Sequence, residues 1–283
     1  MFSPFLDRVR TRAPLVHAIT NYVTANPCAN LLLACGASPI MADDPGEVAD
    51  ITAGCAGLVL NLGTLHQHTI PAMVSAGQVS NTLGHPVVLD PVGVGASPLR
   101  TNTAHMLLEQ VDVSVIRGNV SEIKALTLGH SHAHGVDASG TDAEDSLEQT
   151  LALAQTLAQH RKAVVAITGA MDVVADATRA FVLHNGHPML GRVTGTGCML
   201  SALIGAYVSA SPDQALEATA AAVCAMGVCG ELAQARMTPQ DGNGSYQVYL
   251  LDALYHLTGE ELEECARYEL RFQPNSISKF SKV

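Results

Sequence analysis

The chain reads as an α/β protein: a doubly wound, mainly parallel sheet with helices on both faces and a helical C-terminal third. Three observations predict this. Apolar runs of strand length alternate with runs of helical pattern almost from end to end. The apolar runs are continuous rather than alternating in polarity, as strands buried on both faces must be. Several of them end in small or polar residues, "NLGT", "LDPVGVGAS", "IRGNVSE" and "ITGAMD", and open parallel sheets bind ligands beyond the carboxyl ends of their strands.

Residues 57–63, 86–93, 112–119 and 163–169 are the expected strands. "EVADITAGC", "TIPAMVSAGQVSNTLG", "TNTAHMLLEQ" and "DSLEQTLALAQTLAQH" are the crossover helices between and beside them. "DVVAD" with residues 180–186 predicts a short hairpin. The last third is expected to be helical over 197–210, 212–235 and 246–268. No linker or composition shift separates it, so 1–272 is expected to be a single domain, with 273–283 a loosely ordered tail.

Hydrophobic residues make up 48% and charged residues 14% of the 283, which points to a packed core rather than disorder. The net charge of −11 is thinly spread with no basic stripe, so nucleic acid is not an expected partner and any phosphate must be held by local groups. Charges interrupt the N-terminal apolar runs, which leaves no signal-peptide core. "ATAAAVCAMGVCG" is bounded by Glu217 and Glu231; it is too short to span a bilayer and suits a buried Ala-rich helix, so no membrane is expected. Seven cysteines without regular spacing argue against a disulfide framework and for reduced thiols in the cytoplasm.

The candidate chemistry gathers at the strand ends. Asp90 closes an apolar strand before a Pro-Gly turn, where it either caps the turn or holds a hydrated divalent metal. Asn119 and Glu122 have capping-box spacing, yet Glu122 lies at the same sheet edge as Asp90 and could share the metal. Arg117 offers a planar fork suited to phosphate. Thr168 with Gly169 adds a hydroxyl and a flexible backbone. "VTGTGCML" lays bare the amides of a helix start, a ready anion site; it is neither a Walker motif nor a dinucleotide fingerprint. "GHSHAHG" (129–135) is a polar, loop-like stretch with no cysteine nearby, more a loop than a metal site. The cysteines other than Cys198 read as small core or surface residues.

From about Leu15 to His256 the sequence resembles hydroxyethylthiazole kinases of the ribokinase-like superfamily. The resemblance rests on "VHAITNYVTAN", "LLACGASPIMADDPGEVADI", "LVLNLGTL", "VVLDPVGVGASPLRT", "IRGNVSEI", "GVDA", "AITGAMDVVAD", "LHNGH" and "VTGTGCMLSALIGA", in that order. It implies ATP-dependent phosphorylation of the hydroxyl of 4-methyl-5-(2-hydroxyethyl)thiazole. It places Asp90 and Glu122 on magnesium (Mg2+), and Arg117, Thr168, Asn119 and Thr194 on ATP. Asn21, Met41 and Gly195 fall on the thiazole side. The family is typically a homotrimer with sites at subunit interfaces. Tyr22 departs from the pattern, standing where a small or polar residue is usual.

The turn amides of Thr196, Gly197 and Cys198 are expected to hold the phosphoryl oxygens, with Cys198 as the base in a direct in-line transfer. The helix start favours its thiolate and an apolar pocket opposes it. A kinase for hydroxymethylpyrimidine or pyridoxal is the alternative within the superfamily. A catalytically idle nucleotide-binding subunit is the alternative outside it.

Overall fold

The computed structural model describes residues 1–128 and 146–272, so the histidine-rich stretch 129–135 and the tail 273–283 lie outside the described residues. Among the described residues nine strands form one sheet: β1 Leu15–Ile19, β2 Ser38–Ile40, β3 Gly57–Asn61, β4 Val87–Asp90, β5 Val115–Asn119, β6 Val164–Thr168, β7 Asp172–Ala175, β8 Arg179–Leu183 and β9 Tyr268–Phe272. Their order is β2-β1-β3-β4-β5-β6-β7-β8-β9. The first six are parallel, and β7, β8 and β9 extend the sheet antiparallel.

Helices cover both faces. On one side α3 Val48–Ala53, α4 Thr69–Leu83, α5 Pro98–Gln110, α6 Val120–Leu128 and α7 Leu147–Arg161 pack through residues such as Met73, Leu107, Ile123 and Leu157. On the other lie α1 Ser3–Arg12, α2 Ala25–Cys35, α8 Thr196–Ala210, α9 Ala215–Arg236, α10 Asn243–His256 and α11 Gly259–Cys265, with Leu6, Leu31, Leu203, Ala221, Leu250 and Leu262 in the core. Neighbouring strand residues feed opposite cores, Leu58 and Leu60 to the first face and Val59 to the second. That alternation is why the strands read as unbroken apolar runs.

Two regions differ from the sequence reading. Residues 246–268 are not one helix. Leu257 leaves helical geometry at ψ 124, Thr258 caps α11 by accepting from the Glu261 amide at 3.1 Å, and the chain then returns as β9 on β8. The cap spacing T-x-x-E in "TGEE" is the local cause, and an aromatic cluster holds the strand, with the Tyr268 ring tilted against Phe2 at 4.7 Å. At the other end, α1, β1, α2 and β2 escaped the sequence reading: a histidine interrupts the apolar run of β1, and β2 is only three residues long.

The Ala-rich helix is also longer than its charge-free stretch. α9 runs past both Glu217 and Glu231, which pair with Arg179 and Arg267, each at 2.6 Å. It belongs to the stretch 212–236, the one segment among the described residues long and apolar enough to cross a membrane. Of its most apolar window, 78% is buried inside the protein, as in a core helix.

Candidate active site

The start of α8 organises the site. Gly195 takes φ +82° as its N-cap, a left-handed conformation that side chains rarely adopt, and a Cβ there would also run into the Thr24 methyl. The first helical hydrogen bond runs from the Met199 amide to the Gly195 carbonyl at 2.8 Å, so α8 itself does not use the amides of Thr196, Gly197 and Cys198. The Thr196 hydroxyl ties this turn back to the Leu190 carbonyl at 3.0 Å.

Beneath the turn, Asp90 ends β4 with no exposure at all. Its Oδ2 accepts from Ser201 Oγ at 2.7 Å and from Asn61 Nδ2 at 2.8 Å, and Arg117 Nη1 stands 3.6 Å away. Its Oδ1 is buried without a partner. Burial pushes this carboxyl above the usual range, against the pull of Arg117 and of the two donors, and the nearby charge of Glu122 adds to the rise. Arg117 donates from Nη2 to Thr168 Oγ1 at 2.7 Å. Its guanidinium lies over Gly197, where an added Cβ would sit 2.6 Å from Nη1.

Glu122 and Asn119 form the capping box reciprocally. Glu122 Oε2 accepts from the Asn119 amide at 2.9 Å, and Asn119 Oδ1 accepts from the Glu122 amide at 2.8 Å. Glu122 Oε1 also accepts from the Gly93 amide at 2.9 Å, fastening the turn that follows Asp90.

On the other side of Cys198 lies a polar chain without charge. Asn21 Nδ2 donates to Asn61 Oδ1 at 3.0 Å and to Cys198 Sγ at 3.4 Å. Its Oδ1 accepts from the Thr24 amide at 3.1 Å, which fixes which end of the amide faces the thiol. Asn61 Oδ1 likewise accepts from the Gly63 amide at 2.8 Å, so its Nδ2 is the end that faces Asp90. Burial pushes the nearby Cys28 thiol up to about 12 and removes it as a competing base.

Two cavities flank this row. One of about 510 Å³ is lined by Arg117, Thr168, Asp172, Thr196, Gly197 and Met226 among others. The other, about 340 Å³, is lined by Ile19, Tyr22, Met41, Asn61, Gly63 and Met73 among others. Of the sequence-proposed residues, Arg117, Thr168, Thr196 and Gly197 meet at the first cavity and Met41 at the second; Asn21, Asp90 and Cys198 lie in the row between. Asn119 and Thr194 are exposed, Asn119 engaged in its cap and Thr194 just before Gly195.

Asn61, Ser201 and Asp172 were not singled out from the sequence. Asn61 and Ser201 carried a usable signal, each a polar residue in an otherwise apolar run, "LVLNLG" and "MLSALIGA".

Magnesium beside phosphates takes one or two carboxylates and otherwise water. The unpartnered Oδ1 of buried Asp90 fits that demand. Both oxygens of Glu122 are engaged by backbone amides, which suits a more distant, water-mediated role.

Comparison with known proteins decides the family. The sequence profile of the hydroxyethylthiazole kinase family matches residues 6–260. The chain belongs to this family. It is 54% identical over 271 residues to a hydroxyethylthiazole kinase of Clostridium acetobutylicum, covering 95% of this chain and 99% of that one. The solved structure of a hydroxyethylthiazole kinase protein from Pyrococcus horikoshii superposes with a TM-score of 0.85 at 39% identity, over 95% of this chain and 98% of the other. An ADP complex of Bacillus subtilis pyridoxal kinase aligns at 19% identity with a TM-score of 0.55, covering 80% and 93% of the two chains; it shares the fold. Family membership makes the chain a kinase, a phosphotransferase on a ribokinase-like fold.

Proposed function

We propose that the protein phosphorylates the hydroxyl of 4-methyl-5-(2-hydroxyethyl)thiazole with ATP and magnesium, a step of thiamin salvage in the cytoplasm. The observation that carries the reading is the row between the cavities: a buried carboxylate with one free oxygen, an arginine, bare helix-start amides and a thiol. The 510 Å³ cavity would take ATP, with Arg117 and Thr168 at its phosphates and Thr194 and Asn119 near them. The 340 Å³ cavity would take the thiazole, against Met41 with Asn21 and Gly195 alongside. Both volumes fall within the usual range of small-molecule sites, roughly 300–1,000 Å³.

Bound magnesium would supply neutralising charge between the phosphates, and Asp90, with Glu122 at longer range, would hold it. Thr196, Gly197 and Cys198 would point their amides at the oxygens of the phosphoryl group in flight, where preorganised donors act most strongly. Cys198 would take the proton from the substrate hydroxyl as it attacks in line, and Asn21, donating to its sulfur, would hold the thiol in place. The exposed rim of the smaller cavity, where Tyr22 is 74% exposed, suits the homotrimer with shared sites that we infer for the assembly.

Pure protein with ATP, magnesium and the thiazole alcohol should yield the phosphate ester, and faster than it does from hydroxymethylpyrimidine or pyridoxal. Cys198→Ala should lower kcat by about 10²-fold, the low end of general-base assistance. Preference for another alcohol would redirect the substrate reading, and an unchanged kcat would remove the base.

A further inference from the structure

His17 is the wholly buried imidazole of β1, and no catalytic step above uses it. The pairing of β1 with β2 ends at His17 opposite Ile40. The chain then runs on through Met41, Ala42 and Asp43, which form one wall of the 340 Å³ cavity, while Ala18, Ile19 and Thr20, next to His17 in sequence, form an adjoining wall. Beyond the last strand pair, His17 Nε2 meets the Ala42 carbonyl at 2.8 Å. A carbonyl only accepts, so Nε2 carries the hydrogen. On the other side Nδ1 stands 2.9 Å from the Thr52 hydroxyl of α3. That hydroxyl has a second acceptor within reach, the Val48 carbonyl at 2.6 Å. Burial holds the imidazole below its usual pKa, against the pull of the Ala42 bond and of Glu47, which favours the neutral ring, and the single Thr52 hydroxyl hydrogen is shared between the Val48 carbonyl and Nδ1. The ring thus braces the cavity wall against α3, and does so where backbone pairing has stopped.

We infer that His17 is a positioning residue for the acceptor alcohol: its imidazole, strung between Thr52 and the Ala42 carbonyl, sets the Met41–Asp43 wall and so the fit of the ring in the smaller cavity. The inference rests on the assignment of that cavity to the alcohol. It predicts an effect on alcohol binding that spares the nucleotide side, because nothing in the contacts of His17 reaches Arg117, Thr168 or the start of α8.

Glutamine and asparagine separate the two halves of the brace. A glutamine amide can donate from close to where Nε2 lies, whereas an asparagine reaches only the Nδ1 position. His17→Asn and the apolar His17→Leu should raise the KM for the thiazole alcohol about tenfold, the ratio expected when one ordinary hydrogen bond is lost. His17→Gln should recover most of that loss, with kcat and the KM for ATP held within about twofold in all three. Thr52→Val, which keeps the shape of α3, is the second variant and should raise the alcohol KM by a smaller factor in the same direction. Equal effects of Gln and Asn, or an ATP KM that moves in step with the alcohol KM, would show a merely structural histidine. Wild-type protein that binds ATP but no thiazole alcohol in equilibrium dialysis would overturn the cavity assignment, and His17's role with it. Binding that is normal in wild type yet indifferent to Gln or Asn at position 17 would overturn His17 alone.

Discussion

The two cavities on either side of α8 are lined in contrasting ways. The larger carries four ionisable side chains, Arg117, Asp172, His184 and His187, among small and apolar ones, and is bordered by the β6–β7 turn and the segment that follows β8. The smaller has an uncharged floor of Ala18, Ile19, Asn61 and Gly63, with its ionisable groups, Asp43, His66 and His68, confined to the exposed rim. A polyanion needs fixed charge around it, whereas a neutral alcohol gains from a dry floor with a few aimed polar groups. Asp90 stands where the two designs meet, facing Arg117 on the charged side and Asn61 on the neutral one. The contrast suggests that charge can be changed on one side without disturbing the other, and that Asp90 is where such separability ends.

The largest expected effect follows at that junction. Asp90→Asn keeps an oxygen for Ser201 and Asn61 but puts an amide where the free Oδ1 now lies. Turnover should fall by about 10²- to 10³-fold, as when a preorganised electrostatic group is lost, and the magnesium requirement should rise. The melting temperature should not fall, since burial already works against the charged carboxylate. A variant that keeps its turnover and its magnesium titration would remove Asp90 from the chemistry.

A smaller effect belongs to the charged side alone. Gly197→Ala adds a methyl where the Arg117 guanidinium rests, and the flexible side chain must give way. Alanine in a helix is more stable than glycine by about 0.5–1 kcal/mol, so folding should not suffer. The KM for ATP should rise about tenfold, the scale of a weakened charged hydrogen bond, while the KM for the alcohol stays put. If both KM values rise together, the cavities are not separable at Arg117.

The sequence exposed the charged side more readily than the neutral side, and for a physical reason. Strands β3 to β6 are unbroken apolar runs with conspicuous residues at their ends, so Asp90, Arg117, Glu122 and Thr168 stand out against what precedes them. The turn at Gly195–Cys198 announces itself through its glycines. The floor of the neutral cavity comes from β1, a five-residue strand interrupted by a histidine, and from Asn61, whose role appears only when Asn21 and Asp90 close around it. Period-2 and period-3.6 patterns report which face is buried, but not which polar side chains meet across forty residues of chain. The same limit hid β9: an edge strand that pairs with residues some ninety positions earlier has too little local pattern to separate it from the helix before it.

The smallest prediction tests whether Asp172 truly belongs to the charged side. Its Oδ1 accepts from the Gly169 amide at 2.9 Å, in the turn that carries Thr168. Burial pushes the carboxyl up to about 6, against the pull of that amide and of Arg117. The folded protein therefore binds this proton more readily than the unfolded chain, and the stability this contributes is fully present below about pH 4 and is lost as pH rises through about 6. Asp172→Asn keeps an acceptor for Gly169 but does not titrate. Its unfolding free energy relative to wild type, measured by urea denaturation, should therefore climb between about pH 4 and pH 6 and then level off. The full climb should be no more than roughly 3 kcal/mol, since each tenfold change in proton affinity is worth about 1.4 kcal/mol. A difference that stays flat across that window would mean the carboxylate is well solvated. The larger cavity would then owe its character to Arg117 and not to a balance of opposite charges.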